Sequence, residues 1–193
     1  MTIKYKAQTS EQWFEEELVL YAQLFEDIPN HKKLHDYILE ENIFNDSSIR
    51  GAKRRLLMIN RRAEALGKEG LYLLRTGSTD DRAFLVLFSY LETYRLAKEF
   101  VFEWLLPKYS SYRYEVVVDE FLQFYEHKQL QHLNELQWSD DTVSRLRIQI
   151  FRMLYRGKLL EKKTEKKYRL QSLLLSPDVV SFMAKKPPYD FLV

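Results

Sequence analysis

Arg145, Arg152 and Arg156 recur at helical spacing in the stretch WSDDTVSRLRIQIFRMLYRGKLLEKKTEKKYRL, residues 138–170. Stepped at the turn of an α-helix they fall within about 40° of one another, with Gln149 beside them. A guanidinium is a planar fork that donates two hydrogen bonds at once, so three on one face suit phosphate or a base edge. Val143, Leu146, Ile150, Met153 and Leu154 gather on the other side and must face a core. Lys158, Lys162, Lys163, Lys166, Lys167 and Arg169 follow within a few residues, and flexible ammonium groups can track successive phosphates. Between Arg145 and Arg169 there are ten Lys or Arg against two acids, a local charge of +8, whereas residues 1–138 hold 18 bases and 22 acids.

The elements that must hold these side chains are legible. Ser139 is placed to cap a helix whose Asp140 and Asp141 suit its positive end. Gly157 stops it, and Leu159–Lys162 and Lys167–Leu170 are short enough to be strands around Thr164–Lys166. Helix, glycine stop and lysine-tipped hairpin, in that order, predict a winged-helix-like module at residues 136–193. Ser176-Pro177-Asp178 starts a last short helix to Ala184, and the tail PPYDFLV reads as extended. Such modules bind nucleic acid or dock proteins, and a solvated surface with a sign bias is the bland alternative.

Residues 1–135 read as a helical bundle, so the fold class is mainly all-α. Thr9–Ser10 with Gln12 offers a capping box for a first helix carrying Trp13, Leu18, Tyr21 and Phe25. Pro29 ends it, and Asn30 caps a second helix to about Glu41. Asn45 to Ser48 cap a third, Ile49–Leu66, closed by Gly67, and Lys68–Arg75 form a short helix ending at Gly77. Ser78 and Thr79 open the longest periodic run, apolar nearly all round from Phe84 to Leu91 and stopped by Pro107. Tyr109–Tyr114 reads as a loop, and Val116–Glu135 as helix. On the third helix Arg50, Arg54 and Arg61 share a face within about 40°, away from Ile49, Ala52, Leu56 and Ala63. That face is either a second binding surface or one satisfied by salt bridges from acidic neighbours. If both clusters face one way they form a continuous groove.

The chain of 193 residues has no cysteine, which excludes disulfides and thiolate chemistry. Its net charge of +2 gives no general attraction to anions. The first residues lack a signal-peptide core, and the most apolar run, Ala83–Leu91, is far shorter than the ~20 residues that span a bilayer. A cytoplasmic protein with no membrane role is expected. His31 and His35 stand one turn apart, yet the HExxH glutamate is missing and Lys32 and Lys33 repel a cation. Phosphate-cradling glycine loops are absent, and the acid pairs sit at helix starts. The expectation is a non-enzyme with no metal and no cofactor.

The blocks KYKAQTS, EEELVLYAQLF, EENIFNDSSIRGAKRRL, YRLAKEFVFEWLLPKY and WSDDTVSRLRIQIFRMLYRGKLL, in this order, resemble the BrxA family, the small component of BREX phage-defence systems. The resemblance covers most of the chain. It implies a NusB-like N-terminal bundle joined to a winged-helix-like end, and a cytoplasmic role beside a methyltransferase, an ATPase and a phosphatase-like protein. It also implies binding of double-stranded DNA without catalysis, and supplies no catalytic residues. Two alternatives stay open: RNA binding of the NusB kind through the third helix, and a protein adaptor that docks other BREX proteins by its acidic first helix and the tail Tyr189–Val193.

Overall fold

The computed structural model describes residues 4–189. The chain is mainly helical with one small three-stranded antiparallel sheet. Helices α1 (Glu15–Asp27), α2 (His31–Glu40), α3 (Ile49–Thr76) and α4 (Thr79–Thr93) come first. Three of their starts follow from capping chemistry. The Asn30 side chain accepts from Lys33 N at 3.0 Å, and Ser48 Oγ accepts from Gly51 N at 3.2 Å. Ser78 and Asp81 form a reciprocal capping box at the start of α4.

The first helix departs from its expected start. Thr9 and Ser10 do not cap it; it begins at Glu15, after Phe14 in the left-handed region at φ 57°. Residues 9–14 run as an irregular strap instead, because the carbonyls of Gln12 and Trp13 are taken by the buried guanidinium of Arg62. Gly67 does close the first helical stretch of α3, residues 49–66, as expected. With φ 64° and ψ −176° it is non-helical, and a second helical stretch follows it across a kink and runs to Thr76.

Every residue from Ala83 to Leu91 is buried, so α4 is the central element, as its apolar circumference predicts. Past α4 the chain breaks at Tyr94 and continues as α5 (Arg95–Glu99), a π-helical turn (Phe100–Leu105) and α6 (Leu106–Ser110). Pro107 does not stop this run. It lies in the first turn of α6, where a missing N–H removes no helical hydrogen bond. Tyr109 and Ser110, expected in a loop, are therefore helical, and the turn begins only at Ser111.

Val116 and Val117, read as the start of a helix running to Glu135, lie instead in strand β1 (Glu115–Val117), and the helix, α7, spans only Glu120–Gln131. Helix α8 (Asp140–Arg156) and strands β2 (Leu160–Lys162) and β3 (Lys167–Leu170) match the expected helix and hairpin, and α9 (Pro177–Ala184) closes the fold. Strand order is β1-β3-β2, with Val116 opposite Tyr168 and Leu160 opposite Leu170. The hairpin is thus completed by a strand from beyond the expected boundary at 135/136. One hydrophobic core takes Leu18, Leu74 and Leu87 together with Leu154, Leu160 and Phe182. Tyr189, expected in an extended tail, sits in a turn with its N–H donating to Lys186 O at 2.9 Å. Its ring is buried 4.7 Å from that of Phe88, so it is not free to dock a partner; residues 190–193 lie outside the described residues.

Helix α8 ends against α4 at Gly157. A Cβ there would lie 2.6 Å from Leu87 Cβ, while the glycine's φ of −76° suits any residue. The glycine is needed for space, not for backbone freedom. Gly157→Ala is therefore expected to destabilise the protein by about 1–3 kcal/mol through overpacking alone. Urea unfolding of the variant beside wild type measures this.

Candidate nucleic-acid interface

Ser139 caps α8 by accepting from Thr142 N at 3.4 Å, with Asp140 and Asp141 in the first turn. Val143, Leu146, Ile150, Met153 and Leu154 are buried, while Arg145, Arg152 and Arg156 are exposed. Gln149 departs from the expected face. It is 3% exposed, and its Nε2 donates to the Glu11 carbonyl at 2.6 Å. Exposed in its place are Ile148 (63%) and Tyr155 (51%). The helix is wedged between the bundle and the sheet, where Phe151 meets Tyr168 at 5.1 Å between ring centroids. Burial on two sides turns the free face by about 40° from the one read off arginine spacing.

The two basic clusters flank one segment. From α8, Arg152 Nη2 donates to Glu11 O at 3.1 Å and to Gln149 Oε1, and the Arg156 guanidinium lies 5.1 Å from the Trp13 ring centroid. From α3, Arg54 Nη2 donates to Ser10 Oγ at 3.0 Å. Arg50, Lys53 and Arg54 are exposed, Arg61 is half-buried, and none of the four has an ion pair among the described residues. Acidic neighbours do satisfy Arg55, which pairs with Asp46 at 3.0 Å and Glu17 at 3.6 Å. Ile49, expected on the buried side, is 74% exposed.

Beneath this strap lies Arg62, with no exposed surface. Its Nε donates to Ser89 Oγ at 3.0 Å, Nη1 to Gln12 O and Trp13 O at 3.1 and 2.8 Å, and Nη2 to Val86 O at 2.6 Å. Glu11 Oε1 stands 3.8 Å from Nη1, and Glu11 Oε2 accepts from Tyr94 Oη at 2.6 Å. Burial pushes the Glu11 carboxyl above its usual range, with Tyr94 and Arg62 opposing. Burial likewise lowers Arg62, with Glu11 opposing.

On the hairpin, Lys162 pairs with Glu165 at 2.7 Å, Lys163 with Glu161 at 2.6 Å and Lys167 with Glu115 at 3.2 Å. Lys158 pairs with Asp80, and Arg169 lies 6.0 Å from the Tyr114 ring centroid. Lys166 has no ion pair among the described residues. On α8, Arg145 pairs with Asp141 at 3.0 Å and Arg147 with Asp119 at 2.9 Å. Pairs this exposed contribute about 0–1 kcal/mol, so a phosphate can displace the carboxylate.

The BrxA family model matches residues 3–186. The chain belongs to the BrxA family. Membership associates it with BREX phage defence. The fold is similar to the crystal structure of an uncharacterized protein from Magnetospirillum magneticum, at 20% identity and a TM-score of 0.78 over 98% of this chain and 96% of that one. No curated protein matches the chain. Among the described residues no helix is long and apolar enough to cross a membrane, and no His, Asp and Glu cluster could hold a metal. The His31–His35 pair is instead occupied by hydrogen bonds, His31 Nδ1 with Tyr21 Oη at 2.8 Å and His35 Nε2 with Asn60 Oδ1 at 2.9 Å.

The buried pair in this BrxA chain has a pH signature. With its pKa raised, folded Glu11 keeps its proton at a pH where unfolded glutamate, near 4.3, has lost it. The folded state then binds more protons, so this contribution is full below about pH 4 and is lost as pH rises through the folded pKa. Glu11→Gln should remove that loss: the gap between variant and wild-type urea midpoints should move in the variant's favour from pH 4.5 to 7. Arg62→Ala, which strands Glu11, should cost about 3–5 kcal/mol at neutral pH.

Proposed function

We propose that the protein is a non-enzymatic accessory component of a BREX system that holds double-stranded DNA by its phosphates. The supporting observation is one of placement. The exposed ridge of α8, with Arg145, Arg152 and Arg156, leads at Gly157 directly into the lysine-tipped hairpin. Helix and hairpin act as a winged-helix-like pair, the helix ridge along one strand of the backbone and the tip on the next. The exposed part of α3, Arg50 to Arg54, gives a second contact across the strap. Other BREX proteins are the expected partners in the cell.

Weak sequence preference follows from the burial of Gln149. It is the one amide on the arginine side of α8, and its Nε2–H is spent on Glu11. The remaining groups on the ridge are guanidiniums, an isoleucine and a tyrosine, and the tip carries ammonium groups. Phosphate contacts fix position and carry no sequence.

Fluorescence anisotropy on duplex DNA tests the proposal. With about five phosphates held, log K should fall against log[salt] with a slope of about −4 to −5. The triple variant Arg145→Ala/Lys163→Ala/Lys166→Ala should reduce that slope by about 0.9 for each phosphate it no longer neutralises. Unrelated duplexes of equal length should bind within a few-fold of one another. Absence of duplex binding at low salt, or an unchanged slope in the triple variant, overturns the proposal. RNA competing far better than duplex, with weakened binding on Arg50→Ala/Arg54→Ala/Arg61→Ala, would move the function to α3.

A further inference from the structure

A cleft of about 610 Å³ opens beside the hairpin, walled by Tyr109, Tyr114, Lys158, Arg169 and the chain at 171–175. That size is in the range of small-ligand sites. Its walls include no residue of the α8 ridge or of α3. Tyr109 and Tyr114 meet edge to face at 5.4 Å, and Tyr112 meets Tyr114 in the same way at 6.4 Å. Their turn is fixed by Tyr112 N donating to Tyr109 O at 3.0 Å and Arg113 N to Lys108 O at 2.8 Å. The Tyr109 hydroxyl is tied to Ser172 Oγ at 2.9 Å. Tyr112 is 82% exposed, so its ring faces are open to solvent. Burying such a ring is favourable, and no described part of the fold does so.

The charges around the cleft have a consistent pattern. Asp80 is paired with Lys158, Glu161 with Lys163, and Glu115 on the adjoining strand with Lys167. Arg113 and Arg169 have no carboxylate partner among the described residues, and Arg169 lies against the Tyr114 ring. Guanidiniums without an ion pair beside an exposed aromatic ring are the combination by which proteins hold single strands: bases stack, and the cations hold the linking phosphates. Tyrosine faces accept any base, which agrees with the absence of free amides in the cleft wall other than Gln171, whose Nε2 donates to Glu161 at 3.1 Å. Leu174, 85% exposed at the lip, adds apolar surface for a base to cover.

We infer that this cleft and the tyrosine turn beside it bind unpaired nucleobases of a single nucleic-acid strand, with the exposed Tyr112 ring stacking on a base at the turn, Tyr109 and Tyr114 lining the cleft, and Arg113 and Arg169 holding the adjacent phosphates. The inference rests on the reading of the protein as a nucleic-acid binder but uses none of the ridge or hairpin residues except Arg169. It gives the protein two modes, a backbone grip on duplex and a stacking site for bases that have left one.

The test is anisotropy of the full chain with labelled oligothymidylate, oligouridylate, an abasic strand of equal length and charge, and duplex DNA. Base-bearing strands should bind about tenfold or more tighter than the abasic strand. Tyr112→Ala should abolish that preference, Tyr112→Phe should keep it, and Arg169→Ala should weaken base-bearing and abasic strands alike. Tyr112 is exposed, so its replacement leaves the fold intact and duplex binding unchanged. A preference for either base-bearing strand supports the site, and the ratio of the two tells which sugar it favours. Equal affinity for abasic and base-bearing strands, or Tyr112→Ala binding like wild type, overturns the inference. Absent duplex binding with a Tyr112-dependent base preference would sink the duplex proposal and leave this one standing; the converse would do the reverse.

Discussion

The fold turns on one buried guanidinium. Arg62 has no access to water, so each of its donors needs a protein acceptor, and an unmet need would cost more than the pair gives back. Ser89 and Val86 on α4 supply two acceptors, and the carbonyls of Gln12 and Trp13 supply the rest. Those carbonyls are available only because residues 9–14 are not helical. The strap therefore exists to satisfy Arg62, and it passes the constraint outward. Its Glu11 carbonyl accepts from Gln149 and Arg152 of α8, so the strap residues 11–13, with Arg62, tie α3, α4 and α8 together. A buried ion pair is weak ground for stability, but here its geometry selects one packing of the strap over others.

That constraint also decides which side chains the proposed binding face can present. Gln149 must point inward to meet Glu11, and Gly157 must let the end of α8 close on Leu87. With the helix held at its middle and at its C-terminal end, its exposed ridge is set: arginines alternate with Ile148 and Tyr155, and no free amide remains among them. A ridge of this composition adapts to a backbone and has little with which to distinguish bases. Arg152 serves both sides, since it is exposed yet donates to the strap, so its removal would disturb packing as well as charge.

Much of this is legible in the sequence where the physics is local. Asn30, Ser48, Ser78 and Ser139 cap helices because their side chains reach an N–H a few residues on, and the hairpin lies where Gly157 and the lysine tip put it. What escapes depends on partners distant in the chain. Strand β1 pairs with β3 fifty residues later, and three residues of a periodic-looking run carry no signal of that. Ile59, Ala63 and Leu66 are buried around Arg62, and helical spacing places Arg62 beside them. That is the available sign of its burial, hidden among basic neighbours. Arginine spacing on α8 locates the charge correctly but not the helix's rotation, because a polar Gln149 gives no local sign that Glu11 draws it inward.

Charge is where sequence and structure diverge most usefully. Counted along the chain, residues 145–169 carry +8; in space, Asp80, Glu115 and Asp119 enter from other elements and answer Lys158, Lys167 and Arg147. The positive field is accordingly uneven. Lys162, Lys163 and Lys167 are held in ion pairs, while Lys166 at the tip and Arg113 and Arg169 by the tyrosines make none among the described residues. Exposed pairs exchange partners readily, so the paired lysines respond to a polyanion once it has arrived, whereas the uncompensated cations act first. On the proposed reading, a strand approaching this surface would be met at the tip and at the tyrosine cleft before it settled along α8.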